Sequence, residues 1–560
     1  MSTVWTSGIS PGKGLVEYPR PQMRRATWKN LNGLWDYAIT DSIASCPEIF
    51  AGKITVPFAV ESILSGVSKP LLPSNALWYK RSFLIDKLSN KRRLLLHFGA
   101  VDYKADIYLN GKLIAKHTGG FDGFSIDLKD HVVVGENELV VRVIDPTNTG
   151  DNVVGKQTLN PRTSFFTACS GIWQTVWLEE VPLIYIKDLK IGTDIDKGNL
   201  YVKADLDKGR EYELLLECEG LVAKARADKE ITLQIPRAKL WSPDAPHLYS
   251  FKLKIMQRGK IIDEVESYFG MRKIEIRRDS LGHERIFLNH KYVYNLGVLD
   301  QGYWPDGGYT APGDKALSFD IETIKSMGFN TIRKHLKVEP DRWYYLCDKL
   351  GMLVWQDMPC RSPLIDKSID GISSRKQFES EMVKLIEQQF NHPSIIMWLP
   401  FNEDWAMFDR SRIEGLVRKL DPSRLVNVNT GSRADTIASG DFNSIHHYSY
   451  PIMPKAISGK ASVLGEFGGV LALIPGHEWR EGFSWGHGKA HSLDDYLFQY
   501  EDFVSRLIDF EKKGLTASIF TQSFDVEQEE CGLMTFDRKI IKIQIPKIRS
   551  INQKIYHNNR

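Results

Sequence analysis

Cysteine is scarce and scattered in this chain of 560 residues: six, at positions 46, 169, 218, 347, 360 and 531, with no CxxC pair. That spacing excludes zinc-ribbon and thioredoxin-like motifs, and so few thiols over this length do not make a disulfide scaffold. No run of about 18 apolar residues occurs, so no transmembrane helix is expected. The opening residues, Met1 to Gly8, lack a basic stretch followed by an apolar one, so no signal peptide is read. The compartment therefore stays open: cytoplasmic as written, periplasmic or secreted if a leader has been removed. A surplus of one charge is also missing, with 73 Lys and Arg against 70 Asp and Glu and a formal net charge of +3. A phosphate-tracking face needs a strong basic excess, so no nucleic-acid partner is expected. Internal repeats and low-complexity tracts are absent too.

What is present is ordinary globular composition, 42% hydrophobic and 26% charged. The length suggests about three to five domains. The pattern changes twice along the chain. Residues 1–182 read as β, with strand-like runs at Leu94–Phe98, Ala105–Leu109, Asn137–Val143 and Ile172–Leu178. Asn110-Gly111 is a two-residue hairpin turn between Leu109 and Lys112. Many short strands without a long amphipathic helix predict a jelly roll. Residues 183–275 continue as β over the length of one immunoglobulin-like sandwich. From 276 to 560 the rhythm becomes strand–helix. Asp314 is read as the cap of a helix ended by Gly328. Eight candidate strands follow: Val293–Leu296, Phe329–Ile332, Met352–Trp355, Ile395–Leu399, Leu425–Val428, Asn443–His446, Ser462–Gly465 and Thr516–Phe520. That count predicts a (β/α)8 TIM barrel. No GxGxxG or P-loop follows an early strand, which argues against a doubly wound nucleotide-binding sheet.

Chemistry in a TIM barrel sits at the C-terminal strand ends. Strand four runs into Asn402-Glu403, and strand seven ends at Glu466. Two carboxylates facing one mouth suit glycoside hydrolysis, in which one must keep a proton for the leaving oxygen and the other must be ionised to attack the anomeric carbon.

These residues carry a resemblance. Gly171-Ile-Trp-Gln-Thr-Val-Trp-Leu-Glu179, Leu240-Trp-Ser-Pro-Asp-Ala-Pro-His-Leu-Tyr249, Gly328-Phe-Asn-Thr-Ile-Arg333, Trp343-Tyr-Tyr-Leu-Cys-Asp348 and Asn391-His-Pro-Ser-Ile-Ile-Met-Trp398 resemble phrases of glycoside hydrolase family 2, the β-galactosidase and β-glucuronidase family. The resemblance runs over nearly the whole chain. It implies that Glu403 is the general acid/base and Glu466 the nucleophile, that Asn402 binds the sugar 2-hydroxyl, and that Arg333 stands beside the nucleophile. No cofactor is required; Mg or Na used by some galactosidases of the family is left unplaced, and the tandem His446-His447 lacks zinc spacing.

The sequence also departs from the family pattern. Asp300 follows strand one, where the family has other polar residues, and is a candidate for sugar hydroxyls or for a turn cap. His335 falls one place early, with Leu336 where the family often has His. His447 and Tyr448 follow strand six, with Tyr448 placed to hold the nucleophile. Strand eight ends in Thr521-Gln522 where the family has a Trp platform, leaving Trp304, Trp355, Trp405 or Trp485 as candidate stacking surfaces. Before Thr535-Phe-Asp-Arg-Lys539, where glucuronidases carry a cationic loop, this chain has Glu527, Glu529 and Glu530. Three carboxylates repel a uronic acid, so a neutral sugar is expected. The leading expectation is a retaining exo-β-glycosidase most like a β-galactosidase. An arabinofuranosidase, a β-glucuronidase and a catalytically inactive carbohydrate-binding protein are the alternatives. The partner is an oligo- or polysaccharide or other glycoside, and homo-oligomerisation is left open.

Overall fold

The computed structural model describes every residue except 10–13, 88, 210, 363–371, 432–439 and 558–560. In the N-terminal third, a six-stranded and a four-stranded sheet enclose a core that includes Trp35, Leu77, Tyr79, Leu96, Ile107, Val141 and Ile172. The strand Lys104–Leu109 alternates buried residues with exposed or half-buried ones, the period of a half-buried strand. Asn110 (φ 51°) and Gly111 (φ 77°) make the turn to Lys112, and positive φ at both positions is the geometry Asn-Gly favours. Residues 172–178, read as one strand, are divided between Gly171–Ile172 and Val176–Pro182. The break frees Trp173, whose Nε1 donates to the Gly120 carbonyl at 2.8 Å and whose ring packs 5.3 Å from Tyr309 of the barrel.

The next unit pairs a three-stranded with a four-stranded antiparallel sheet around Leu200, Val202, Leu214, Leu216, Leu253, Ile255 and Val265. Two of the family-like phrases dock this sandwich on the barrel. Trp241 Nε1 donates to the Asp348 carbonyl at 2.7 Å. Asn391 accepts from the Ile191 N–H and donates to the Leu189 carbonyl, both at 2.8 Å.

The barrel strands are β1 Asn295–Asp300, β2 Thr331–Lys334, β3 Leu353–Asp357, β4 Ile395–Leu399, β5 Leu425–Val426, β6 Phe442–His447, β7 Ala461–Gly468 and β8 Leu515–Thr521. They form one parallel sheet in the order β5-β4-β3-β2-β1-β8-β7-β6. The sheet closes where the Asp441 N–H donates to the Val426 carbonyl at 2.8 Å. All eight expected strands are found. Every residue of β4 is buried, as a parallel sheet covered on both faces requires. Helix α1, Asp314–Ser326, is not capped by Asp314: Gly313 holds the cap position, and the Asp314 carboxylate accepts instead from Arg342 Nε at 2.7 and 2.9 Å. Helix α2, Asp341–Leu350, ends at Gly351 in the left-handed conformation. A three-stranded sheet of residues 274–292 packs Ile274, Ile286 and Leu288 onto the core lined by Trp355, Leu353 and Ile519.

Candidate active site

The C-terminal ends of β2, β3, β4, β6 and β7 bring Arg333, Asp357, Asn402, Glu403, His446, Tyr448 and Glu466 together. Arg333 is fully buried, and its guanidinium is the hub. Nε and one terminal nitrogen grip Asp357 at 3.0 and 2.9 Å, a bidentate pair. The other terminal nitrogen donates to Glu466 Oε1 at 2.8 Å and to the Gly465 carbonyl at 3.2 Å. Asn402 Oδ1 accepts at 2.7 Å. Five directed bonds fix the carboxylate of Glu466 and the amide of Asn402 relative to one rigid fork.

Glu403 sits just past Asn402, where Phe401–Asn402 pairs with Asn429–Thr430 as a short extension of the barrel wall. Its backbone is left-handed at φ 49°, with its N–H donating to the Thr430 carbonyl at 2.8 Å. This turn directs the side chain back toward β7. His446 Nδ1 lies 2.8 Å from Glu403 Oε1, and its Nε2 lies 3.0 Å from Thr430 Oγ1. The Tyr448 hydroxyl donates to Glu466 Oε2 at 2.7 Å and lies 3.2 Å from Glu403 Oε1. One hydroxyl within 2.7 and 3.2 Å of both groups puts these carboxylate oxygens no more than about 6 Å apart, below the roughly 6.5 Å at which inverting pairs begin.

The two carboxyls differ in setting. Burial pushes Glu466 up, but the charges of His446, Arg333 and His335 and the Tyr448 hydrogen bond outweigh it and hold the group far below the usual carboxylate range. Burial also pushes Glu403 up, and the hydrogen bond and charge of His446 bring it below its ordinary value, opposed by the charge of Glu466. Glu403 is the more open of the two, with its side chain 19% exposed against 5%. Two glycines make room for His446. A Cβ on Gly431 (φ 73°) would meet the His446 ring at 2.5 Å, and one on Gly465 would meet Thr430 Oγ1 at 2.2 Å.

Of the residues singled out in the sequence, Arg333, Asn402, Glu403, Tyr448 and Glu466 converge. Asp300 does not face a sugar: it is buried, accepting from Lys334 Nζ at 2.6 Å and from the Gly302 N–H at 2.8 Å. His335 is buried against Asp357, 2.7 Å from its carboxylate, and is a packing partner of the Arg333 hub. His447 points away, its Nδ1 2.5 Å from the Tyr450 carbonyl, and the inward histidine is His446. Trp485 stands one ring back: it meets His487 edge-on at 4.7 Å, and His487 stacks on Tyr448 at 3.5 Å. Trp355 is buried in the barrel with Nε1 on Asn295, and Trp304 packs under Arg538. The Gln522 amide, in place of the family's Trp, accepts from Gln301 at 2.6 Å.

The three loop carboxylates do not form an outward repulsive wall. Glu527 accepts the Thr167 N–H at 2.8 Å, and burial pushes it up to about 7. Glu529 accepts from Gln301 at 2.6 Å, and Glu530 accepts the Trp479 N–H. Burial raises both. Sequence reasoning missed Asp357 and His446 as site residues. Asp357 ends β3 and the strand-end rule reaches it once the strand is extended by two residues.

Comparison with known proteins gives the context. Residues 280–457 match the profile described as glycosyl hydrolases family 2, TIM barrel domain. Residues 184–272 match glycosyl hydrolases family 2, and 52–173 match the glycosyl hydrolase 2 galactose-binding domain-like profile. A putative beta-glucuronidase of Formosa agariphila is 27% identical over 73% of this chain and 51% of its own length. A beta-galactosidase of Halalkalibacterium halodurans is 26% identical over 62% of this chain and 36% of its own. The chain thus spans about half or less of the length of these curated relatives. Among solved structures, the Bifidobacterium dentium beta-glucuronidase complexed with coumarin-3-O-glucuronide superposes with a TM-score of 0.76 at 20% identity, over 96% of this chain and 98% of that one. The Eisenbergiella tayi beta-galacturonidase bound to galacturonate gives 0.74 at 19%, over 96% and 99%. At such identities these two speak for the fold. Three profiles of one family, matched in succession over well over half of the sequence, establish that the chain belongs to glycoside hydrolase family 2.

Proposed function

We propose that this chain is a retaining exo-β-glycosidase that works by double displacement, with Glu466 as nucleophile and Glu403 as general acid/base. The observation that carries the reading is the Tyr448 hydroxyl shared by the two carboxylates at 2.7 and 3.2 Å, a separation too short for an intervening water and sugar ring of the inverting kind. Glu466, fixed by Arg333 and kept ionised, attacks the anomeric carbon. Glu403 gives its proton to the departing oxygen. Glu403 then takes a proton from water, which attacks the glycosyl ester and releases Glu466. Two inversions leave the anomeric configuration unchanged. Asn402, held by Arg333, presents its amide nitrogen to the sugar 2-hydroxyl.

For the glycone we infer a β-uronide, with β-glucuronide first. Relatives named beta-glucuronidase and beta-galacturonidase support it. The inward contacts of Glu527, Glu529 and Glu530 weaken the electrostatic argument for a neutral sugar. A β-galactoside is the second reading, supported by the relatives named beta-galactosidase.

The test is trapping with 2-fluoro glycosides followed by peptide mapping, with the product anomer followed by NMR. The label is expected on Glu466 and the product with retained configuration. Glu466→Gln should abolish turnover. Glu403→Ala should spare glycosylation by an activated aryl glycoside, and azide should rescue its second step. A label elsewhere, or an inverted product, overturns the assignment. A parallel panel of aryl β-glucuronide, β-galactoside and α-arabinofuranoside ranks the glycones.

A further inference from the structure

Lys156 belongs to the jelly roll, yet it stands at the barrel mouth. Its residue is 7% exposed, and among the described residues its ammonium has no hydrogen bond and no ion pair. The ammonium lies 5.5 Å from the ring of Trp405, two residues past Glu403, and 5.6 and 6.0 Å from the rings of Phe165 and Phe166. Its charge acts on Glu403, Glu529, His335 and His487. The carboxylates in that set are already engaged: Glu403 by His446, Glu529 by Gln301. An aromatic collar offsets part of the cost of burying a cation, and the ammonium of this largely buried lysine has no carboxylate partner of its own among the described residues.

The loop that carries Lys156 is fixed on both sides. Gly155 adopts φ 60°, and a Cβ there would meet the Leu336 carbonyl at 2.4 Å, so only glycine lets this loop lie against the barrel one residue past His335. The Lys156 carbonyl accepts the Phe166 N–H at 2.9 Å. Gln157 donates to Asp102 at 2.9 Å and accepts the Cys169 N–H at 2.7 Å. Nearby, the jelly roll meets the loop after β8 through the Thr167 N–H on Glu527 at 2.8 Å and the Thr163 N–H on Gln528 at 3.2 Å. The ammonium is therefore held over the mouth by a rigid wall.

We propose that Lys156, delivered to the barrel mouth by the jelly roll, binds the carboxylate of an acidic glycone and so selects β-uronides over neutral β-glycosides. This rests on the glycosidase reading above and deepens it. A neutral hydroxyl can accept one bond from the ammonium but leaves its charge uncompensated; a carboxylate completes the ion pair. A glycone carboxylate there also offsets the pull that Lys156 exerts on Glu403, and so favours the protonated acid at the moment the substrate is bound.

The experiment compares wild type with Lys156→Met, which keeps an unbranched stem inside the aromatic collar. kcat/KM is measured on 4-nitrophenyl β-D-glucuronide, β-D-galacturonide and β-D-galactoside. Uronide turnover should fall about a hundredfold, at least about tenfold further than galactoside turnover. Equal losses on all three, or an unaffected uronide, overturn the proposal. Calorimetric binding of free D-glucuronate and D-glucose to the wild type is a second measurement that needs no variant. Glucuronate should bind at least about tenfold more tightly, and equal binding overturns the proposal. The two readings fail differently. Lys156-dependent glucuronate binding without hydrolysis of any glycoside would sink the enzymatic reading alone. Galactoside hydrolysis with no uronide turnover would sink the Lys156 proposal and the uronide glycone, and leave the double-displacement reading standing.

Discussion

Replacing Tyr448 by Phe removes a single oxygen and separates the two chemical steps. The ring stays: it lies flat on His487, with centroids 3.5 Å apart and planes 2° from parallel. What is lost is the proton donated to Glu466 Oε2 at 2.7 Å. Glu466 keeps its 2.8 Å bond from Arg333, so it stays ionised and aligned. In glycosylation, the carboxylate gives up charge as the ester forms. Loss of the donor raises the energy of the free nucleophile, which offsets the looser alignment, and kcat/KM should change by less than about fivefold. In deglycosylation the charge returns to Glu466 as the ester breaks, and the missing donor is felt in the transition state. A hydrogen bond to a charged group contributes about 1.5–3 kcal/mol, so at about 1.4 kcal/mol per tenfold this step should slow by roughly 10- to 150-fold. The assay is stopped-flow release of 2,4-dinitrophenol. The variant should show a burst of about one equivalent per site, with kcat and KM falling together. A kcat/KM that falls as far as kcat, with no burst, would refute the reasoning.

Three further outcomes follow from the same geometry. His446→Asn removes the hydrogen bond and charge that hold the Glu403 carboxyl low, so Glu403 should keep its proton to higher pH and the alkaline limb of kcat/KM should move up by about one pH unit; a limb that stays or moves down contradicts this. Arg333→Met leaves Asp357 and Glu466 buried without their cation and should cost about 3–5 kcal/mol in denaturant unfolding. Both carboxyls are held below their ordinary range, so that contribution is present at neutral pH and lost as pH falls through the folded-state values; the gap between wild type and variant should narrow in acid, and a constant gap counts against the pairing. Gly465→Ala would bring a Cβ to 2.2 Å from Thr430 Oγ1 and 2.7 Å from Ser444 Oγ, so β7 must shift at the residue before Glu466, and kcat/KM should fall about tenfold or more.

Much of this architecture was legible in the sequence because parallel barrel strands are continuous apolar runs. Ile395–Leu399 is the clearest such run, the strand–helix alternation placed the other seven, and the strand-end rule then isolated Glu403 and Glu466. The failures have specific physical causes. His446 and His447 are adjacent on a strand, and a shift of one residue exchanges their faces. The pairing of β6 with β7 shifts between Ile445 and His446, a local irregularity that a tandem pair of identical residues does not announce. Asp300 was left between a sugar ligand and a turn cap; it caps the Gly302 N–H, and its second partner, Lys334, lies 34 positions away, where the sequence does not announce it. The loop glutamates were read as free charges because the Thr167 N–H, Gln301 and Trp479 N–H that receive them come from distant segments. Lys156 gave no signal at all: a lone lysine after a glycine becomes informative only once the jelly roll is seen against the barrel.

Residue type does not distinguish the two catalytic candidates; their partners do. Glu466 is paired with an arginine, which keeps its charge at any accessible pH, and is nearly closed off from solvent. That setting suits a group that must be an anion whenever substrate arrives. Glu403 is paired with His446 instead of an arginine, and its own side chain reaches solvent. That setting suits a group that must lose a proton to the leaving oxygen and take one from water in each cycle. Tyr448 joins the two. Its hydroxyl donates to Glu466 at the shorter distance and stands 3.2 Å from Glu403 Oε1, so one group touches both carboxylates. The proposed division between acid and nucleophile thus rests on which strand end supplies each neighbour: β2 the arginine, β6 the histidine and, just beyond it, the tyrosine.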